Sequence, residues 1–169
     1  MKPDQVTAVL NDPVAQELLA STIPARFAYA AGDGTPRVVP VGVYWDGSRI
    51  LSATPTNAPK LPALRANPSV ALTIDTNVPP QKVLLVRGRV EIEIVDGVPD
   101  SYLAGVRKYV THGDKDEAWL VEFEQGVRAL YDQMAVLTTT PVWAKIFDFE
   151  TRIPSPVEEL ARQKFGPPA

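Results

Sequence analysis

The residues best suited to chemistry in this sequence are basic side chains between residues 35 and 65. This stretch carries a charge of +3 inside a chain whose formal net charge is −3. Its four basic residues and its single acid are Arg37, Arg49, Lys60, Arg65 and Asp46. Arginine and lysine donate charge-assisted hydrogen bonds to phosphate and carboxylate oxygens. The local excess of positive charge therefore predicts a binding site for an anion.

Polar groups that suit a phosphate are concentrated near the end of this stretch. Within seven residues the chain offers the hydroxyl of Thr54, the amide of Asn57 and the ammonium of Lys60. Short hydroxyl and amide groups complement charged donors around phosphate oxygens. We expect these three residues to bind a phosphate together with Arg37.

The signatures of other kinds of chemistry are missing. The sequence has no cysteine and one histidine, His112, so it offers no thiol nucleophile and no conventional set of zinc or iron ligands. It has no nucleophile elbow, P-loop or Rossmann glycine motif. We expect His112 to be solvated in a polar connection between helices. No catalytic residue is apparent, which makes an organic cofactor the expected source of chemistry.

Length and composition indicate the class of protein. The chain has 169 residues, of which 45% are hydrophobic and 22% charged, as is typical of a globular protein. Its net charge gives no support for a nucleic-acid partner. No apolar run approaches the ~20 residues that span a bilayer, and the N-terminus lacks the features of a secretory signal. We therefore expect a soluble, cytoplasmic protein without membrane or nucleic-acid partners.

Runs of β-branched and aromatic residues between glycine-containing turns predict six or seven strands. The predicted strands cover residues 27–31, 37–45, 49–54, 69–75, 82–95, 135–140 and 142–149. Tight turns join the first three into a meander, and Pro141 separates the last two. In the longest strand, 82–95, alternate positions through Ile94 are apolar, which predicts one buried face.

Helical periodicity occurs at the N-terminus, in the middle of the chain and between the fifth and sixth strands. The predicted helical segments cover residues 3–10, 13–19, 55–68, 103–110 and 119–134. Asn57 is a candidate N-cap for the third segment, although Pro62 counts against a helix there because proline removes a backbone donor. The aromatic stripe of Trp119, Phe123 and Tyr131 is expected to pack the last helix against the strands.

These elements favour a mostly β protein with helices, built as a closed or partly closed antiparallel barrel. A β-sandwich is the competing architecture. Closure is attractive because it removes exposed strand edges. We expect one domain over residues 1–150, opening with the N-terminal helix. The tail, residues 151–169, carries a short helix pattern and is expected to be only partly ordered.

Six segments of the chain together carry a resemblance to a known family. They are Phe27–Val41, Trp45–Gly47, Leu51–Lys60, Leu64–Leu72, Lys82–Val90 and Val142–Phe149. This ordered series resembles the pyridoxamine 5′-phosphate oxidase-like, FMN-binding split-barrel family, in its flavin and deazaflavin oxidoreductase branch. The resemblance covers roughly residues 25–150. It implies an antiparallel split β-barrel that forms a homodimer, with two flavin sites in the groove between the subunits.

The resemblance also implies which residues bind the cofactor. Arg37 would contact the cofactor phosphate, Thr54 and Lys60 would bind phosphate oxygens, and Lys82 would lie near the ring. The backbone that passes the isoalloxazine ring would be that of Val38, Val39, Pro40 and Val41. FMN is the expected cofactor, and coenzyme F420, a deazaflavin bound by a related branch of the fold, is the alternative.

Either cofactor implies an oxidoreductase that transfers hydride between the cofactor and a small organic substrate. Such a transfer needs orientation more than a side-chain acid or base. The C-terminal substrate motif of the oxidase itself is not recognisable, so the oxidase's own activity is not expected. The alternative function is a non-catalytic dimer that binds or senses a flavin or a haem-type ligand. A ligand-free interaction domain is the third.

Overall fold

The computed structural model describes residues 1–113, 115–151 and 155–166. The strands in this part of the chain are β1 (Ala25–Ala30), β2 (Pro36–Val41), β3 (Tyr44–Trp45), β4 (Ile50–Pro55), β5 (Ser69–Asp75), β6 (Lys82–Asp96) and β7 (Gln133–Asp148). The helices are α1 (Pro3–Leu10), α2 (Pro13–Ala20), α3 (Lys60–Ala66), α4 (Asp100–His112), α5 (Glu117–Leu130) and α6 (Ser155–Phe165). His112 therefore belongs to the last turn of α4 rather than to a connection.

All seven strands belong to one antiparallel sheet with the order β2-β1-β5-β6-β7-β4-β3. Its two edge strands, β2 and β3, are joined in the chain by only Gly42 and Val43. A connection this short reaches about 11 Å at full extension, so the sheet must curl until its edges nearly meet. The result is the antiparallel split β-barrel expected from the sequence.

The expected meander of the first three strands is wrong. The predicted strand 37–45 is interrupted at Gly42, where the chain leaves one edge of the sheet and begins the opposite edge. β2 therefore pairs with β1 alone, while β3 pairs with β4. The interruption adds one strand to the count, so α4 and α5, expected between the fifth and sixth strands, follow the sixth.

The predicted break at Pro141 is also wrong, because β7 runs through it. β7 pairs with β6 along its length, with a register shift between Arg87 and Gly88. Arg87 pairs with Trp143 and Gly88 with Pro141, so Val142 is the extra residue of a bulge. Proline is tolerated at a bulge because its missing N–H is not needed by the ladder there.

The interior of the barrel is a continuous apolar core. α1 and α2 close it, and their buried leucines, Leu10, Leu18 and Leu19, pack with inward residues of the strands. The alternation predicted for the longest strand is confirmed through Val90, which is buried. Ile94, expected on the same face, is 42% exposed, so the core does not reach that end of β6.

The helix predicted over 55–68 is confirmed in a shorter form, α3, which begins at Lys60. Asn57 is not its N-cap; Pro59 occupies that position and makes no side-chain cap. Pro62 is the third residue of α3. Backbone N–H groups in the first turn have no helical partner, so proline at this position removes no hydrogen bond.

Helices α4 and α5 cover the outer face of the sheet at β3, β4 and the start of β7. Leu103 of α4, Val127 of α5 and Met134 of β7 are buried together there, beside Ala53 of β4. Met134 is the last residue of the helical segment predicted over 119–134, but α5 ends at Leu130 and the chain is already a strand at Met134.

Helix α6 lies in the expected C-terminal tail, of which residues 152–154 and 167–169 are outside the described residues. The domain boundary at residue 150 stays a prediction. In the described ranges, no helix combines the length and hydropathy needed to cross a bilayer. The same ranges contain no group of three acidic, histidine or cysteine side chains that could hold a metal ion.

Candidate functional site

The candidate site is a cavity of about 530 Å³ between the split edge of the barrel and the α4–α5 pair. Its lining includes residues 40–44, where β2 gives way to β3, and residues 51–54 of β4. Lys60 of α3 also lines the cavity, together with residues of α4 and of the start of α5. Cofactor and small-molecule sites have volumes of roughly 300–1,000 Å³, so the cavity is of suitable size.

Helix α4 faces the cavity along one stripe. Tyr102, Gly105, Val106 and Tyr109 all line the space, at the three- and four-residue spacing of one helical face. A Cβ on Gly105 would lie 3.6 Å from the backbone oxygen of Val43. This distance is an ordinary van der Waals contact, so α4 packs at Gly105 against Val43 and Tyr44, with one cavity-lining tyrosine of α4 on each side of the contact.

The polar end of the cavity is formed by Lys60 and Thr54. The ammonium of Lys60 donates a hydrogen bond of 2.8 Å to the hydroxyl of Thr54, whose residue is 5% exposed. Burial lowers the pKa of Lys60, because removal of water disfavours the charged form. In the described chain no carboxylate lies within 4 Å of this ammonium. A half-desolvated cation of this kind is suited to an anionic ligand.

The other charged side chain that lines the cavity, Lys115, is also positive. Lys60 and Lys115 are the only ionised side chains among its described lining residues, which include no acidic group. The Lys115 ammonium lies 5.6 Å from the centre of the Trp119 ring. Trp119 in turn stacks on Phe123, with ring centres 5.0 Å apart. The cavity therefore combines aromatic walls with hydrogen-bond donors and positive charge.

The structure brings some of the expected site residues together. Thr54 and Lys60 are in contact, and Pro40 and Val41 line the same cavity. Val39 packs against the barrel core instead, and Val38 is 62% exposed on the opposite, outward side of β2.

Three other expected residues lie away from this cavity. The Arg37 guanidinium pairs with Asp33 at 3.6 Å, and Asn57 lies in the turn before α3, with its side chain outside the cavity lining. Lys82 donates to the Glu17 carboxylate of α2 at 2.6 Å. That hydrogen bond raises the pKa of Lys82. Within one chain these three do not join Thr54 and Lys60, and their part in cofactor binding stays a prediction.

The basic stretch predicted from residues 35–65 is not one patch. Arg37 is paired with Asp33, which lies just before the stretch, and Arg49 is paired with Asp46 at 3.0 Å. These local ion pairs offset two of the four positive charges, and only Lys60 of the four reaches the cavity.

Aromatic residues of α4 and α5 are the site residues that the sequence did not reveal. Trp119 and Phe123, expected to serve only packing, line the cavity, as do Tyr102 and Tyr109. The signal available was the seven-residue interval between the two tyrosines, which places them on one helical face.

Comparison with protein families identifies the chain's relatives. The sequence model of the family described as pyridoxamine 5′-phosphate oxidase matches residues 12–138. The chain belongs to this family. Membership confirms the resemblance drawn from the ordered segments, and the split barrel is the fold shared with structural relatives from the pyridoxamine phosphate oxidase family. A search of curated proteins gives no match.

Solved structures of similar fold carry different names. A protein named F420 reductase shares 26% identity over 77% of this chain and 94% of its own, with a TM-score of 0.59. An FAD-binding protein from Mesorhizobium loti shares 17% identity over 78% of this chain and 89% of its own, with a TM-score of 0.51. A haem storage protein from Vibrio cholerae shares 14% identity over 81% and 93%, with a TM-score of 0.55. The last two show a common fold alone.

The residues of this pyridoxamine 5′-phosphate oxidase family member fit a flavin-type group. Aromatic and aliphatic side chains offer flat apolar walls to a ring, and the Lys60–Thr54 pair offers donors to a phosphate at one end. A few fixed polar groups in an otherwise apolar cleft are the usual composition of a cofactor site.

Proposed function

We propose that the protein binds a flavin or deazaflavin in this cavity and acts as an oxidoreductase on a small organic substrate. The observation that carries the proposal is the half-buried Lys60 ammonium bonded to Thr54 at the end of a cavity whose described lining has no acidic residue. An unneutralised cation in a desolvated place favours an anionic ligand, and both cofactors carry a phosphate.

In this proposal the protein supplies binding and orientation. Lys60 and Thr54 hold the phosphate, and the backbone at Pro40 and Val41 lies along the ring. The bound cofactor supplies hydride chemistry, which requires no catalytic acid or base on the hydride donor itself. Trp119 and Phe123 shield the ring from water, which strengthens polar interactions inside the site.

The charge of the polar end favours F420 over FMN, the cofactor expected from the sequence. FMN ends in a phosphate monoester, which carries close to two negative charges at neutral pH, as phosphorylated side chains do. The phosphodiester of F420 carries one, and the carboxylates of its acidic tail lie beyond the phosphate. Beside Thr54 the cavity offers one ammonium, Lys60. Arg37 and Arg49 lie outside the cavity lining and are paired with aspartates. The similarity to a protein named F420 reductase agrees with a preference for F420 over FMN.

The active form in this proposal is a homodimer, and the outer face of the sheet supports it. Directly paired residues share a face, and the ladder joins Val38, Ala28, Ala71, Arg87 and Trp143 into one row across five strands. In four of these strands an adjacent residue along the chain is buried, namely Phe27, Leu72, Val86 and Ala144, and Val39 of β2 packs against the core, so this row points outward. Its small and apolar members leave a flat surface suited to a second copy of the chain.

A haem-binding function has less support. Haem iron in proteins is usually held by histidine, cysteine or methionine, less often by tyrosine. None of the first three is among the described residues that line the cavity. The haem storage relative shares the fold at 14% identity.

The experiment is a cofactor titration of the purified full chain. Its absorbance spectrum is recorded first, and the protein is then titrated separately with FMN and with F420 while ligand fluorescence is followed. We expect saturable binding of F420, with FMN weaker. Absence of binding by both would overturn the proposed function, and tighter binding of FMN would reverse the order of the cofactors.

A further inference from the structure

The two halves of α4 are held against the rest of the protein in different ways. Near the start of the helix, Leu103 is 1% exposed and packs in a cluster with Val127 and Met134. α4 lies wholly within the described residues 1–113, and Leu103 is its one buried residue. The second half of the helix, residues 106–112, therefore has no buried apolar side chain that fixes it in place.

This second half nevertheless contributes to the cavity. Val106 and Tyr109 line the space, and they follow Gly105, where α4 packs against Val43 and Tyr44. The shape of the cavity therefore depends on where this half of α4 lies. If the helix moves away, a ligand binds only the fraction of molecules in which the cavity is complete, and the apparent affinity falls by that fraction.

Lys108 joins the second half of α4 to the barrel. Its ammonium donates a hydrogen bond of 3.0 Å to the backbone oxygen of Leu19, near the end of α2, where carbonyls have no partner within their own helix. Among the described residues, no other hydrogen bond or ion pair links a side chain of α4 to the strands or to α1–α3. The neighbouring Arg107 pairs with Glu124 at 3.0 Å, which connects α4 to α5 and not to the barrel.

The acceptor of this bond is fixed by the barrel. Leu19 is 2% exposed and belongs to the apolar core, so its carbonyl keeps its place as long as the core is folded. Burial lowers the pKa of Lys108 to about 8, which leaves the ammonium charged in most molecules at pH 7. A charged donor makes a stronger hydrogen bond than a neutral one, and the C-terminal end of a helix favours a positive charge.

We infer that Lys108 is a positioning residue of the candidate site, whose bond to Leu19 holds the second half of α4 where it completes the cavity. What this says about ligands rests on the proposed function. Lys108 does not itself line the cavity, so it acts through Val106 and Tyr109. Without its bond, residues 106–112 open away from the barrel more often, while the start of α4 stays anchored by its buried leucine.

The first test measures this opening without any ligand. Amide hydrogen exchange is followed at pH 7, residue by residue, in the full-length wild type and in Lys108→Met. We expect exchange to be roughly threefold to tenfold faster in Lys108→Met, because loss of one hydrogen bond raises the population of the open form by about this factor. The increase should be confined to residues 106–112.

Two further variants are matched to this one. Lys108→Arg keeps a cationic donor for the Leu19 carbonyl and should restore the protection of α4. Arg107→Met removes a positive charge at the next position, from an exposed ion pair with Glu124, and such pairs contribute little. Its exchange rates should therefore match those of the wild type.

The second test is titration of the same four proteins with F420 and FMN. We expect the Kd of the bound cofactor to rise in Lys108→Met by about the factor seen in exchange, and to return towards the wild-type value in Lys108→Arg. Unchanged exchange in Lys108→Met, faster exchange spread over the strands, or an equal effect in Arg107→Met would each overturn the inference, as would an unchanged Kd. If the wild type binds neither cofactor, the proposed function fails, and the exchange rates still decide whether Lys108 holds α4.

Discussion

The Nζ atom of Lys60 lies 2.8 Å from Oγ1 of Thr54, and this contact joins the first residue of α3 to the end of β4. Thr54 is fixed in the sheet by its pairing with Ala135 of β7. The lysine is therefore aimed by a residue whose position the barrel determines. A binding group on a rigid element loses less conformational freedom when a ligand arrives.

Removal of the ammonium at Lys60 should weaken cofactor binding. We expect Lys60→Met to raise the Kd for F420 roughly tenfold to hundredfold, because a charge-assisted hydrogen bond contributes ~1.5–3 kcal/mol. Fluorescence titration measures the effect. Arg49→Met is the matched control, since it also removes one positive charge, but from an ion pair with Asp46 outside the cavity. An equal loss in both variants would show a general effect of charge and contradict a specific site.

Gly88 should not tolerate a side chain. A Cβ at this position would lie 2.5 Å from Cγ2 of Thr139 and 2.8 Å from the backbone oxygen of Thr140. We expect Gly88→Ala to lower the free energy of unfolding by ~1–3 kcal/mol, as for other overpacked sites. Urea denaturation followed by circular dichroism measures the change.

The control for this substitution is Gly126→Ala in α5, where a Cβ would meet no atom within 4 Å. Alanine in a helix interior is favoured over glycine by ~0.5–1 kcal/mol, so this variant should be slightly more stable than the wild type. A neutral result for Gly88→Ala would mean that the bulge between β6 and β7 opens more easily than the contacts around Gly88 indicate.

The bulge also shows where prediction from the sequence succeeds and where it does not. Strand segments and their inward faces follow from the alternation of apolar residues, as on β6 up to Val90. Pro141 predicts a strand end because proline lacks an N–H, yet it lies beside the bulge, where no N–H is required. Whether the N–H of a strand residue is needed depends on the strand that pairs with it. The local sequence does not show which strand that is.

The candidate site was predictable in part for the same reason. Thr54 and Lys60 are six residues apart, so their proximity follows from a short turn and could be anticipated. Tyr102 and Trp119 reach the cavity because α4 and α5 fold back over β3 and β4, a long-range packing that sequence spacing does not specify. Asp33, which pairs with Arg37, lies just outside the basic stretch of residues 35–65, so the net charge of that stretch does not reveal this ion pair.

Stability should depend on pH through Lys108 of α4. Its ammonium donates to the backbone oxygen of Leu19 at 3.0 Å, and burial lowers the pKa of Lys108 from 10.5 to about 8. Between about pH 8 and 10.5 the unfolded chain holds a proton that the folded chain has released, so the contribution of this group to stability rises with pH in that window. Below pH 8 both states are protonated and the contribution is constant.

Lys108→Met removes this dependence. Relative to the wild type, its free energy of unfolding should therefore fall progressively as the pH is raised from 8 to 10, because titrations elsewhere in the chain cancel in the difference. Urea denaturation at several pH values measures it. Arg107→Met, the control on the same helix, removes a side chain that stays charged throughout this range and should shift stability by a constant amount. A constant difference for Lys108→Met as well would mean that Lys108 titrates normally in the folded protein.

The proposed homodimer places Val38 at the contact between the two copies. This residue is 62% exposed in the single chain and lies on the outward row that includes Arg87 and Trp143, whose guanidinium and ring are 4.5 Å apart. Val38→Lys would bury an unpaired charge at the interface, which is costly, so it should shift the protein from twice 18.4 kDa to 18.4 kDa in sedimentation equilibrium.

Val121→Lys is the matched control for the dimer, because Val121 is 49% exposed on α5 and is not part of the outward row. It should leave the dimer intact. The cofactor affinity of Val38→Lys then reports whether the partner completes the site. Arg37 lies away from the cavity within one chain. A large loss of affinity on dissociation of the dimer would therefore support Arg37 of the second copy as a cofactor contact. A wild type that sediments at 18.4 kDa would contradict the dimer, and the cavity between α4 and the split edge would then have to bind its ligand with the residues of one chain.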